Sequence, residues 1–353
     1  MKFYRVILII AVLVTGCSKN FNKQATTGEL IIFPFPPDTA RIQYLTSISS
    51  SEDIFRKKSS FANYVIGSLA SQPILQPYGL AINKGRLFVC DVKMASLEII
   101  DLEKRTFDYF SPAGLGRLKV PVNCFVDEKG FLYIADTGRE QVVIFNENLK
   151  YVDSFRGPEE FKPTDVFIND DKIWVSNILD HRIYVYRNDS THEFLHAFPE
   201  AKQGEDGYLY QPTNIYVTME YVYVSDFADC KIKIYTHEGK FVSVVGSFGR
   251  GLGQFVRPKG IAVDRDLNLY VADAAFENVQ IFNRDGKFLM PFGGPYTRPG
   301  DMYLPAKVII DYDNMKYFLR YVDERYDLKY LVLVSNGGGP DKINVYGFIE
   351  QKK

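Results

Sequence analysis

Tryptophan occurs once, and histidine and cysteine four times each, among 353 residues. No Cys-x-x-Cys-His occurs, so the chain carries no covalent haem of its own. Charge of one sign is also missing: 42 Lys and Arg stand against 43 Asp and Glu, for a formal net charge of −1. With no basic run either, nucleic acid is a poor partner. No motif that pairs a nucleophile with an activating base appears, and no phosphate-binding glycine loop; Gly249 to Gly253 and Gly337 to Gly339 read as turn glycines. No catalytic residue is assigned.

What is present is repetition. From Gln254 to Gly293 the chain runs through four short alternating segments separated by Asp, Asn, Gly and charged residues, the pattern of a four-stranded antiparallel meander. One such sheet cannot bury both faces alone, so copies are expected. Aligned on the proline that opens each first strand, they start at Pro77, Pro121, Pro163, Pro212, Pro258 and Pro305. The acid or amide closing the second strand recurs as Asp91, Asp136, Asn177, Asp226, Asp273 and Asn336. Third strands place apolar residues two apart, as in Val142 and Ile144 or Val279 and Ile281. A period in the forties with four strands per unit predicts an all-β, six-bladed propeller of four-stranded antiparallel blades.

Pro258-Lys259-Gly260-Ile261-Ala262-Val263-Asp264, with Tyr270-Val271-Ala272-Asp273 and Val279-Gln280-Ile281-Phe282, resembles the NHL repeat over roughly Arg41 to Ile349. The resemblance implies a six-bladed ring. It leaves function open, because such propellers include binding platforms and some enzymes. Related bacterial lipoproteins imply an association with envelope complexes, multihaem cytochromes among them.

Lys2 and Arg5 precede the apolar run Val6 to Val14, which ends in Val14-Thr15-Gly16-Cys17. A basic start, a short core and small residues at the break read as a secretory signal, too short to span a membrane comfortably. The last four residues resemble a bacterial lipobox, implying cleavage before Cys17 and a lipid on its sulfur. The expected organisation is a signal peptide over 1–16, a lipidated tether and Pro-rich linker over 17–40, and the propeller over 41–350, its repeats starting near 76, 120, 162, 211, 257 and 304. Arg41 to Ile48 has no repeat of its own, and the last repeat lacks a fourth strand, so this N-terminal strand is expected to close the ring. Localisation follows as exported and lipid-anchored to the cell envelope. The remaining Cys90, Cys124 and Cys230 are odd in number; the first two take core positions of the repeat, and Cys230 falls in a turn and is expected to be exposed.

Candidate contacts come from turn position. Arg139, Glu140, Asp180, His181, Asp229, Glu277 and Asn278 are expected on one rim, joined by Tyr317, Arg320 and Tyr321 from a Met315 to Lys329 insertion in the last repeat. A second break in the period, Ser51 to Ser71, carries a helix-like spacing of Phe61, Tyr64, Val65 and Leu69. Both segments either pack over blade edges or serve recognition. His192-Glu193-Phe194-Leu195-His196 matches a zinc-protease pattern, but in a fourth-strand slot its histidines stand roughly 13 Å apart at about 3.3 Å per residue, too far for one ion. The strand-end carboxylates allow a calcium ring in the channel, although such residues commonly accept N–H bonds from their own turns. No cofactor is assigned. The reading is a scaffold presenting its rim to an envelope protein, peptide or glycan; the rival is a metal-dependent lyase or hydrolase working in the channel.

Overall fold

The computed structural model describes residues 30–54 and 71–353. The first five sequence periods each become one antiparallel four-stranded sheet, the last supplies three strands of a five-stranded sheet, and the six sheets stand around an axis as blades. The inner strands are Pro77–Asn83, Pro121–Val126, Pro163–Asn169, Pro212–Val217, Pro258–Val263 and Pro305–Asp311. Each opens on the expected proline, which is tolerated because the innermost strand is an edge with no ladder partner on its axial side. Each inner strand touches the next, and the sixth touches the first, so the ring is complete.

The core lies between blades. Alternate residues of each strand face opposite neighbours, so every blade contributes to two apolar layers. Cys90 and Leu97 pack with Cys124, Ile134 and Val143 of the next blade, and Trp174 and Ile183 pack with Ile215, Val224 and Tyr235. Cys90 and Cys124 are therefore core residues, and burial pushes the Cys90 thiol above its usual pKa. Each large side chain so buried contributes about 1.5–3 kcal/mol.

Ring closure follows the N-terminal expectation. Ile42–Ile48 pairs antiparallel with Ile343–Gln351, Ile42 opposite Phe348 and Ile48 opposite Ile343. The sixth blade thus takes three strands from the C-terminal part of the chain and its next strand from the N-terminal part. One further strand was not foreseen: Ile32 and Phe33 pair with Gln43 and Ile42, so sheet structure begins inside the stretch read as linker. Residues 1–29, with the signal and Cys17, and residues 55–70, most of the helix-like segment, lie outside the described residues.

Strand direction gives the ring two unlike faces. One, here the linker face, carries the starts of inner strands, the turns between second and third strands, and the links between blades. The opposite hairpin face carries the turns joining first to second and third to fourth strands. Deleting Arg41 to Ile48 removes the closing strand; a broadened thermal transition at lower temperature with aggregation is expected, and an unchanged melting profile would contradict closure.

Candidate functional site

The axis is built by a feature common to all six blades. Just after the opening proline, the register between first and second strands slips in every blade, between Pro77 and Leu80, Pro121 and Asn123, Pro163 and Asp165, Pro212 and Asn214, Pro258 and Ile261, and Pro305 and Lys307. Such bulges bend a strand and re-aim its side chains. The residue two after proline is Gly79, Asn123, Asp165, Asn214, Gly260 or Lys307. At the two glycines the strands crowd too closely for a side chain: a Cβ on Gly79 or Gly260 would stand 2.5 Å from Cα of Asn123 or Lys307.

The four side chains at this level meet in the channel. Lys307 Nζ donates to Asp165 Oδ2 at 2.7 Å and Asn214 Oδ1 at 3.3 Å, linking the sixth blade to the third and fourth. Asn123 Nδ2 donates to the Thr164 carbonyl at 2.8 Å, and Asp165 Oδ2 also accepts from the Ile215 N–H. Burial raises the Asp165 carboxyl above its ordinary pKa, and the Lys307 ammonium opposes that rise. Asn123 Oδ1 is buried without a hydrogen-bond partner among the described residues, and the Asn214 amide faces the Tyr78 hydroxyl. Alternation alone did not flag these residues, but their polarity at one fixed distance from each proline was a readable signal.

The strand-end acids staple the linker face together. Asp91 Oδ2 accepts from the N–H groups of Leu75 and Gln76, while its Oδ1 accepts from Lys93 and Met94. Asp136 and Asp273 repeat the arrangement, Asp226 accepts from Tyr210 and Gln211, and Asn177 and Asn336 act through their amides. These oxygens bond to the chain's own turns and links.

Most of the expected rim is likewise engaged with its own scaffold. Arg139 donates to the Leu115 and Arg117 carbonyls, Glu140 meets Arg156 at 3.1 Å, and Asp180 accepts from the Tyr184 hydroxyl. Burial would raise Asp229, but Lys233 and Lys231 outweigh it and hold its carboxyl below the usual range. Glu277 accepts from the Leu304 N–H. His181 Nδ1 and Asn278 Oδ1 are buried without partners among the described residues. Cys230 is buried, contrary to expectation, because the next link lies over it and its thiol donates to the Val256 carbonyl at 3.2 Å.

Tyr317, Arg320 and Tyr321 do not join this rim. An insertion between first and second strands belongs to the hairpin face, where Tyr317 donates to Glu103 Oε2 at 2.6 Å and Phe318 is buried in the layer between the sixth and first blades. With Arg105 and Ile48 these three residues line a groove of about 240 Å3. The end of the insertion is strand, since Tyr326–Asn336 is continuous. A larger cavity of about 760 Å3 opens on the same face, walled by Tyr216, Tyr221, Tyr223 and Tyr312, with Arg265 stacked 3.9 Å over Tyr312. The His192 to His196 stretch is not helical: His196 lies in strand Phe194–Phe198, and His192 precedes it, 3.1 Å from Asp153 Oδ2.

Exposed apolar residues divide unevenly between the faces. Leu115, Phe248 and Leu252, at 73%, 72% and 73% exposure, stand in blade links of the linker face, together with Met94, Val120, Leu179, Tyr303 and Leu304. The hairpin face exposes Met219 and Leu319.

One buried acid breaks the blade pattern. Lys233, Gln280 and Asn344 occupy equivalent third-strand positions and donate to the carbonyls of Tyr208, Gln254 and Asp301 in the preceding links. The first blade has Glu98 there, its carboxyl buried beside that of Asp91. Burial, then the Asp91 charge, pushes its carboxyl up to about 9.

Comparison with known proteins agrees with the architecture. A family model described as a 6-bladed beta-propeller matches residues 203–336. A search of curated proteins finds no match. Among solved structures, the chain is similar to a streptogramin B lyase, at 13% identity over 81% of this chain and 86% of that one, with a TM-score of 0.53. It is similar to virginiamycin B lyase from Staphylococcus aureus at 12% identity, over 77% and 94% of the two chains, TM-score 0.52. A gluconolactonase from Xanthomonas campestris matches at 13% identity over 92% and 98%, TM-score 0.55. At such identities the likeness establishes the fold alone.

Glu98 yields a pH test. Its pKa of about 9 when folded, against 4.5 ordinarily, means that its stability contribution is complete below about pH 4.5 and is lost as pH rises to about 9. Glu98→Gln should therefore gain stability relative to wild type across that window, by roughly 1–3 kcal/mol at neutral pH. Denaturant titrations at several pH values check this, and a difference independent of pH would contradict it.

Proposed function

We propose that the chain is an exported, lipid-anchored propeller of NHL type whose linker face docks an envelope protein. The observation that carries the reading is the exposure of apolar side chains on the linker face, with Leu115, Phe248 and Leu252 standing out from blade links. Exposed Phe and Leu on links held by strand-end acids meet a partner at low ordering cost. The anchor rests on Val14-Thr15-Gly16-Cys17 following the apolar run. Peptide or glycan recognition on the same face is the narrower form of the reading.

A second reading, a channel enzyme, draws support from neighbours that are lyases and a gluconolactonase, and from the cavity of about 760 Å3 on the hairpin face. In this chain the axial oxygens of Asp165 and Asn214 already hold the Lys307 ammonium, which favours binding over metal chemistry at that level. Photo-crosslinking in intact cells separates the faces. A photoreactive residue replacing Leu252 should give one discrete protein adduct, and one replacing Met219 should give none. Capture from Met219 with none from Leu252 would reverse the assignment.

A further inference from the structure

The residue directly after each opening proline lies nearest the linker face and is Tyr78, Val122, Thr164, Thr213, Lys259 or Ala306. Thr164, Thr213 and Ala306 are buried, whereas Tyr78, Val122 and Lys259 keep partial exposure. Lys259 Nζ stands 5.0 Å from the centroid of the Tyr78 ring. No carboxylate partners it among the described residues, and burial followed by the Arg257 charge holds its ammonium below the usual pKa. One level deeper, Lys307 and Asp165 pair at 2.7 Å, so of the two inner-strand lysines Lys259 is the one without a carboxylate partner among the described residues. Beside them the Asn214 amide is buried and faces the Tyr78 hydroxyl. Burial and then Asp165 raise the Tyr78 phenol above its ordinary pKa, so it stays a neutral hydroxyl able to donate, and the Asn214 amide opposes that rise.

We propose that the linker-face mouth of the channel is a carboxylate site, with the Lys259 ammonium as its cation and the Tyr78 hydroxyl and Asn214 amide as its donors. A planar carboxylate accepts from an ammonium and from two neutral donors at once. A divalent cation is disfavoured by the ammonium. The carboxylate belongs to a small organic acid or to the C-terminus of a chain docked on the apolar residues around the mouth. The latter source rests on the linker-face reading above; the site itself does not.

Thermal unfolding of the full chain in acetate, acetamide and chloride tests the site. Acetate at about 100 mM should raise Tm by about 2 °C or more over equal chloride, and neutral acetamide should not. Lys259→Met and Lys259→Gln should lose the response while melting no lower than wild type without acetate, because each removes an unpaired, largely desolvated charge. Phe248→Ser, which weakens docking, should keep the response, so loss of partner capture and loss of carboxylate binding are read separately. Triglycine at least tenfold stronger than both acetate and triglycine amide identifies a chain terminus as the source; triglycine no stronger than acetate identifies a small acid. An equal shift in chloride, or a response surviving in both Lys259 variants, would overturn the site.

Discussion

The antiparallel pairing of Ile42–Ile48 with Ile343–Gln351 turns a row of blades into a ring. A blade has two apolar faces and buries them only against neighbours, so an open row would leave the first and sixth blades each with one face in water. The closing strand does more than extend a sheet. Its Leu45 and Ile48 enter one apolar layer with Leu80 and Leu87 of the first blade and Leu331 and Val345 of the sixth. The axis depends on the same closure, since Lys307 reaches Asp165 across the channel only when the last blade stands opposite the third.

Much of this was legible in local pattern. Prolines at inner-strand starts, acids at second-strand ends and alternating third strands each reflect forces acting within one blade, and all recur at the expected positions. The channel was harder to read because its side chains are aimed by a bulge, which interrupts the alternation used to find the strands. Cys230 was misplaced because its turn looked exposed in isolation, whereas the neighbouring link covers it. Tyr317, Arg320 and Tyr321 were grouped with the wrong rim through a matter of direction: a segment inserted after the first strand must emerge on the face opposite the turn after the second. Glu98 gave no local signal; its oddity shows only against Lys233, Gln280 and Asn344 at the same place in other blades.

The two faces follow one division of labour. On the linker face, acids at strand ends bond to backbone N–H groups of both turn and link, which fixes the frame from which Leu115, Phe248 and Leu252 project. At its centre Lys259 stands over the Tyr78 ring with no carboxylate partner among the described residues. The hairpin face instead packs its insertion over a blade boundary and opens a tyrosine-walled cavity. A rigid ring with apolar projections around a cationic mouth suits recognition of a protein surface, and that asymmetry carries the functional reading.

Hydrogen exchange at individual amides tests the closed ring most directly. Amides of Ile42–Ile48 and of Ile343–Gln351 that bond across the seam should exchange together, at the slow rate set by global unfolding, because neither strand can leave without opening two apolar layers. Fast exchange across Ile42–Ile48 while the other inner and middle strands stay protected would show an unsealed seam and contradict the account.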